Sequence, residues 1–245
     1  GFKEIVLTGT NIGAYDSGLD LLIKRILDDT GVKRLRLSSL QPNDITDGFL
    51  DLWNDARLCR HLHLPLQSGS EAVLKRMNRP YTINDYASSV ARIRKAIPKA
   101  SITTDIIVGF PGETDAEFEE SYDFCRRMAF ANLHVFSYSE RPGTAAAAMK
   151  NQIDERVKKQ RSRKMLKLAR DNAAQFGRQF RGEALPVLWE TEVSPGIWDG
   201  LTDNYIRVIT HSDRRRKNQI TDAELSDTYN KSFKCIEAIL VPRNL

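Results

Sequence analysis

Through its first 150 residues this chain alternates short apolar runs with longer amphipathic stretches, the pattern of parallel strands joined by crossover helices. Strands are expected at residues 4–8, 34–39, 61–67, 102–110 and 134–139. Between the first two, Leu19, Leu22, Ile23, Ile26 and Leu27 recur at helical spacing, and residues 86–97 repeat that period. Thr114-Asp115-Ala116-Glu117 has the form of a capping box, so residues 109–113 read as a strand-to-helix loop ahead of a helix over 115–128. Five strands are too few for an eight-stranded βα barrel. The expected class is therefore α/β, a partial barrel over residues 1–152 that lacks its first βα unit.

Beyond the barrel the texture changes twice. Residues 153–181 hold no Gly or Pro until Gly177 and are dense in Lys, Arg, Ala, Leu and Gln, which predicts one long basic linking helix. Residues 182–245 contain short strand-like pieces at 185–190, 198–202, 205–209 and 235–241, separated by Pro-Gly, Asp-Gly and Asp-Asn turns, and read as a small β-barrel.

Composition narrows the function classes. No apolar run approaches the ~20 residues of a membrane span, and 41% hydrophobic residues fit a globular protein. Residues 1–7 enter a strand with no initiator Met, basic segment or cleavage site, so they are no signal peptide and the chain reads as cut from something longer. Cys59, Cys125 and Cys235 are odd in number and widely spaced, which argues for a reducing compartment; a cytoplasmic monomer is expected. The net charge of +5 lies towards the carboxyl end: residues 1–150 hold 19 basic and 19 acidic side chains, residues 151–245 hold 18 and 13. The excess sits on Arg156, Lys158, Lys159, Arg161, Arg163, Lys164, Lys167, Arg170, Arg178 and Arg181, and again on Arg214-Arg215-Arg216-Lys217. A polyanion would meet that end, although a solvated helix face explains the first group equally well.

Four of the five strands run into polar, glycine-rich sequence: Leu7-Thr8-Gly9-Thr10-Asn11-Ile12-Gly13, Leu37-Ser38-Ser39-Leu40-Gln41-Pro42, Leu64-Pro65-Leu66-Gln67-Ser68-Gly69-Ser70, and Val108-Gly109-Phe110-Pro111-Gly112-Glu113-Thr114. Each alone is ordinary turn chemistry. Together they lie on the rim where such barrels bind ligands, and their hydroxyls, amides and glycines suit one polar small molecule. Gly109–Gly112 is neither a Walker loop nor a dinucleotide fingerprint. His61 and His63 face one side of their strand, but no third ligand stands at recognisable spacing, so packing or hydrogen bonding is the expected role and no metal is assigned. Asp105, in mid-strand, needs a partner and reads as structural glue or a ligand contact.

These segments, with His134-Val135-Phe136-Ser137-Tyr138-Ser139 and Arg141-Pro142-Gly143-Thr144, resemble the radical-SAM methylthiotransferases over almost the whole barrel, and the β-rich tail stands where that family has its RNA-binding TRAM domain. The wording Leu-Thr-Gly-Thr-Asn, Ser-Ser-Leu-Gln-Pro and His-Val-Phe is most similar to the branch acting on N6-threonylcarbamoyladenosine (t6A) at position 37 of the tRNA anticodon stem-loop; the isopentenyladenosine branch is the nearest rival. The resemblance implies S-adenosylmethionine as cofactor and [4Fe-4S] clusters in the whole enzyme. It implies that Thr8, Gly9 and Asn11 meet the methionine end of the cofactor, that Ser38, Gln67 and Ser68 belong to the same site, and that Val108, Gly109, Phe136 and Tyr138 lie near the adenine.

The family's cluster motif C-x-x-x-C-x-x-C has no counterpart in this sequence, so the chain by itself is expected to be inactive and to bind S-adenosylmethionine weakly. For tRNA contact the expected residues are Arg178, Arg181, Arg207, Arg214, Arg215, Arg216 and Lys217. Trp198 and Tyr205 are lesser candidates for base stacking, with barrel core as the alternative. Two other readings remain at this point: a non-catalytic RNA-binding protein, and a βα-barrel enzyme acting on a phosphorylated metabolite at the Gly109–Thr114 loop.

Overall fold

The computed structural model describes residues 1–230, 232–233 and 235–241; positions 231, 234 and 242–245, all assigned above to the tail, lie outside the described residues. Five parallel strands come first. β1 (Glu4–Leu7) pairs with β2 (Arg34–Leu37), and β3 (His61–His63), β4 (Ser101–Val108) and β5 (Asn132–Ser137) form a second ladder in that order. The two ladders meet where the Cys59 N–H donates to the Leu35 carbonyl at 2.9 Å and the Leu40 N–H to the His63 carbonyl at 3.0 Å. The helices α1 (Leu19–Asp29), α2 (Asp47–Asp51), α3 (Glu71–Arg76), α4 (Ile83–Ala96) and α5 (Asp115–Met128) fall between the strands.

Periodicity explains most of these elements. In α1 the side chains of Leu19, Ile23 and Leu27 recur every fourth residue and are buried. Helices α4 and α5 each open on a reciprocal capping box, Thr82 with Asp85 and Thr114 with Glu117, which satisfies donors that a helix start leaves unpaired. Leu35, Leu37, Leu62, Leu64, Tyr86, Ile93 and Phe130 form the centre of one core. The Tyr86 hydroxyl, wholly buried, donates to the Leu64 carbonyl at 2.6 Å.

The expected strand 61–67 is shorter in the structure. β3 ends at His63 because Pro65 has no N–H to donate and Gln67 adopts φ 71°, outside the strand region. Helices α2 and α3 had no separate place in the periodicity; both are too short to show one.

The long helix α6 (Glu155–Arg178) is capped by Asp154 and buries Met165, Leu168 and Ala169, from its middle turns, in the core of the parallel wall. Its far end enters a second core, where Phe176 and Phe180 meet Val187, Trp189, Val208 and Leu225. That core fills a closed five-stranded barrel ordered β10-β8-β7-β6-β9: β6 (Ala184–Ser194), β7 (Ile197–Thr202), β8 (Arg207–His211), β9 (Gln219–Asn230) and β10 (Cys235–Leu240). β9 is absent from the sequence reading. Its residues are mostly polar, and only Ala223 and Leu225 turn buried side chains inward, too few to announce a strand.

The small barrel seals the amino-terminal end of the parallel wall. Arg34 and Arg36, both buried, share the carboxylate of Glu4, with Arg34 Nη2 2.8 Å from Oε2 and Arg36 Nε 2.8 Å from Oε1. Other N–H groups donate to the end of β7 and the turn after it: Arg34 Nη1 to the Leu201 carbonyl at 3.1 Å, Arg36 to those of Thr202 at 3.1 Å and Asp203 at 3.0 Å. Arg60 adds a two-point pair with Asp203, at 2.6 and 3.1 Å. Tyr205 lies flat on His61, ring centroids 4.0 Å apart, with the Arg36 guanidinium 5.1 Å from the tyrosine ring. Among the described residues no helix is long and apolar enough to cross a membrane.

Candidate functional site

The opposite, carboxyl-terminal edge is the rim. Parallel strands put all five carboxyl ends on one side, and main-chain hydrogen bonds tie neighbouring rim segments together. The Ser38 N–H donates to the Leu7 carbonyl at 3.0 Å, the Gln67 N–H to Asp105 at 2.8 Å, the Ile107 N–H to Gln67 at 2.9 Å, and the Tyr138 N–H to Val108 at 2.9 Å. Ser39 and Gln67 hold positive φ of 63° and 71° there, conformations that a side chain disfavours and that collect at functional loops.

The residues expected at the cofactor divide in two. Thr8, Gly9 and Asn11 are exposed, Ser38 and Gln67 are half-buried, Phe136 is 52% exposed, and Tyr138 has a buried hydroxyl without a partner among the described residues. These can present polar and aromatic groups to a ligand. Ser68, Val108 and Gly109 are buried instead. The Ser68 hydroxyl accepts the Ser70 N–H at 3.2 Å, so it shapes its own loop, and Val108 belongs to the core.

Gly109 is the pivot of a latch. Its φ of 74° and the approach of Lys158, whose Cγ would stand 2.4 Å from an added Cβ, leave room for glycine alone. Its N–H donates to Glu113 Oε2 at 2.6 Å, and Arg161 Nη1 reaches the same oxygen at 2.7 Å. Arg161 Nη2 pairs with Asp115 at 2.7 Å, and the Lys158 ammonium lies 5.4 Å from the Tyr138 ring centre. Burial raises the carboxyl pKa of Glu113 above its ordinary value in spite of that partner. Sequence reasoning placed Lys158 and Arg161 on an exposed basic face. They are buried, and the signal was available: both fall on the stripe shared with Met165, Leu168 and Asn172.

Next to the latch, Arg76 forms a two-point pair with Glu117 at 2.7 and 2.9 Å. The Arg76 hydrogen bonds hold the Glu117 carboxyl down to about 2. A depressed carboxyl pKa contributes stability that is present above the unfolded value and lost as pH falls through the folded one. Glu117→Gln is therefore expected to lower stability at neutral pH and to flatten its fall between pH 4.5 and about 2, read from urea midpoints across that range. An unchanged acid limb would count against the pairing.

Inside the wall, below the rim, the hydroxyl of Thr103 lies 2.9 Å from His61 Nε2 and 2.9 Å from His63 Nδ1. The two strand histidines thus share one side, and each has the hydrogen-bonded role expected of it. Burial keeps His61 neutral, pushing its pKa well below the usual imidazole value, and lowers that of His134. His63 Nε2 is 3.4 Å from Asp105 Oδ1, so Asp105 finds its partner in the lumen.

In the small barrel Trp198 is core. Tyr205 is neither core nor free, because it stacks on His61. Arg207 pairs with Glu190 and Asp199, and Arg181 with Asp227, so those two expected RNA contacts are occupied within the fold. Arg214, Arg215 and Lys217 are exposed, and Arg216 donates to the Ser212 hydroxyl at 2.9 Å. Arg178 ends α6, away from that cluster in sequence.

A [4Fe-4S] cluster does not fit the thiols of this chain. Cys59 precedes β3, Cys125 lies on α5 and Cys235 on β10; all three are buried, and among the described residues none joins a convergent group of ligands. Burial raises their pKa values, that of Cys235 to about 11, which opposes the thiolate form that iron requires.

Over residues 1–125 the chain matches the Radical SAM superfamily, and it belongs to that superfamily. It is 41% identical over 221 residues, 85% of this chain and 49% of the relative, to the threonylcarbamoyladenosine tRNA methylthiotransferase MtaB of Bacillus subtilis. It is 40% identical over 213 residues, 82% of this chain and 44% of the relative, to the tRNA-2-methylthio-N(6)-dimethylallyladenosine synthase of Acetivibrio thermocellus. The chain spans about half the length of these curated relatives. Among solved structures, the radical SAM enzyme coproporphyrinogen III oxidase (HemN) of Escherichia coli is similar in fold, with a TM-score of 0.58 at 14% identity over 82% of this chain and 54% of that one.

Proposed function

We propose that this chain is the cofactor-binding barrel and RNA-contacting tail of a tRNA methylthiotransferase that modifies C2 of t6A at position 37. The observation that carries the reading is the 41% identity to a t6A methylthiotransferase over 85% of the chain. A dimethylallyladenosine substrate is the second reading, since relatives of that name reach 40%.

On this reading Thr8, Gly9, Asn11, Ser38, Gln67, Phe136 and Tyr138 hold S-adenosylmethionine at the rim. The cofactor would supply a methyl group and, when reduced by a cluster, a radical. With no thiolate set for that cluster among the described residues, the chain alone is expected to carry out no turnover. What its own residues do is bind and orient. The Glu113–Arg161 latch fixes the Gly109 loop, Gln67 and Ser39 hold strained backbone towards the ligand, and Phe136 offers an exposed ring.

The deciding experiment uses the gene product that contains this chain, purified anaerobically, reconstituted with iron and sulfide, and incubated with cofactor, reductant and tRNA bearing t6A or isopentenyladenosine. Nucleoside mass spectrometry should find the methylthio group on t6A. Gain on isopentenyladenosine moves the substrate. No gain on either, with tRNA still bound, favours a non-catalytic RNA-binding protein.

The tail makes its own prediction. The joint change of Arg214, Arg215 and Lys217 to Ala is expected to weaken tRNA binding by this chain about tenfold or more and to reduce the slope of log affinity against log salt by about 2, because each lost phosphate contact releases fewer counterions. A filter-binding salt series measures both. An unchanged slope would place the RNA elsewhere.

A further inference from the structure

The lumen of the parallel wall holds a constellation that the rim does not use. His63, Asp105 and His134 stand on three successive strands, β3, β4 and β5, whose register sets His63 against Thr103 and His134 against Asp105. One ring nitrogen of each histidine and one carboxylate oxygen of Asp105 all lie within 4.8 Å of one another. The 3.4 Å between His63 Nε2 and Asp105 Oδ1 is long for a charge-assisted hydrogen bond. It matches the ~3.3 Å edge of a tetrahedron built on metal–ligand bonds of ~2.0–2.1 Å.

The surroundings fit as well. The 2.9 Å contacts of Thr103 Oγ1 with His61 Nε2 and His63 Nδ1 allow the tautomer in which Thr103 donates to His61 and accepts the His63 Nδ1–H, and metal binding would select it, freeing the Nε2 lone pair on the side of Asp105. That is how an outer partner fixes the tautomer of a ligating histidine. The three backbones are held by ladder hydrogen bonds, so only side chains have to close, by about 1.5 Å at most, to reach tetrahedral spacing.

We propose that His63, Asp105 and His134 bind one divalent transition metal ion of the zinc and cobalt class in the lumen. Two imidazoles and a carboxylate suit that class, and three protein ligands leave a fourth position open, the composition of a site that handles a ligand rather than one that only braces the fold. The sequence hid it because the three residues are separated by 42 and 29 positions along the chain and no short spacing links them. The site is independent of the methylthiotransferase reading.

The test uses this chain, stripped with a chelator and titrated with Co2+ under anaerobic conditions. One equivalent should bind with the visible bands of a four-coordinate nitrogen and oxygen site, and Zn2+ should displace it. His63→Ala, Asp105→Asn and His134→Ala should each weaken Co2+ binding more than tenfold, and Thr103→Val about tenfold through loss of the outer hydrogen bond. His211→Ala, on β8, should leave it unchanged. His134 and Asp105 are only partly buried, so circular dichroism can confirm that their variants remain folded. Absence of binding to the unaltered chain, or affinity in the Asp105 and His134 variants equal to that of the unaltered chain, would overturn the proposal; so would loss of binding on changing His211.

Discussion

Replacing Arg161 with Ala should lower the unfolding free energy by about 3–5 kcal/mol, because it leaves a buried carboxylate without its cation. Glu113 and Arg161 have side chains 1% and 6% exposed. Once the guanidinium is gone, the Glu113 carboxylate keeps the Gly109 N–H and little else. Burial already raises the Glu113 pKa, and without Arg161 the rise should grow. A carboxyl whose folded pKa is raised favours the fold below its unfolded pKa and loses that contribution as pH rises through the folded one. The variant should therefore be hurt most at neutral and alkaline pH and least in mild acid, while Arg161→Ala combined with Glu113→Gln recovers part of the loss. Urea denaturation at pH 5 and pH 8 measures it. A loss below about 1 kcal/mol at pH 8, the scale of an exposed pair, would mean the latch contributes little.

The second large effect lies at the other end of the wall. Glu4→Ala removes the carboxylate shared by Arg34 and Arg36, whose side chains are 6% and 3% exposed, and should also cost about 3–5 kcal/mol. Those guanidiniums bind the carbonyls of the β7–β8 turn, so the loss should extend to the seam between wall and small barrel. Limited proteolysis is expected to cut the variant near the Thr202–Ile206 turn before it cuts the parallel wall. Glu4→Ala with Arg36→Met should be more stable than Glu4→Ala alone, since it removes one of the two stranded charges. If the double change is worse, packing of Arg36 on Tyr205 outweighs its charge.

How far these features were legible depended on how local they are. The five parallel strands and the capping box at Thr114 follow from residues close in sequence, and the structure has them. The Arg34-Leu35-Arg36-Leu37 run alternates charged and apolar side chains, yet all four residues are buried. Only the docking of a turn 167 residues further on explains that. The lumen triad and the Glu113–Arg161 latch are hidden for the same reason, as register and helix packing rather than spacing bring their members together. β9 was missed because two small apolar side chains suffice to fill its share of a narrow barrel. Tyr205 was weighed only between base stacking and the small barrel's own core, because nothing near it in sequence reveals His61.

α6 joins the two ends of this arrangement. Its first turns are locked to the Gly109 loop by Lys158 and Arg161, and its last turn is sunk into the small barrel, where an added Cβ at Gly177 would stand 2.6 Å from Ile236 Cδ1. At 1.5 Å per residue its 24 residues make a rod of about 36 Å. With the Glu4 seam as a second point of attachment, the small barrel is held to the wall at two separate places. Inserting a single residue in the helix would turn one end against the other by about 100° and lengthen it by about 1.5 Å. Such an insertion would put the basic corner at Arg214–Lys217 out of phase with the rim while leaving each barrel intact. The length of the helix in residues thus sets how far apart, and at what rotation, the Gly109 loop and the small barrel are held.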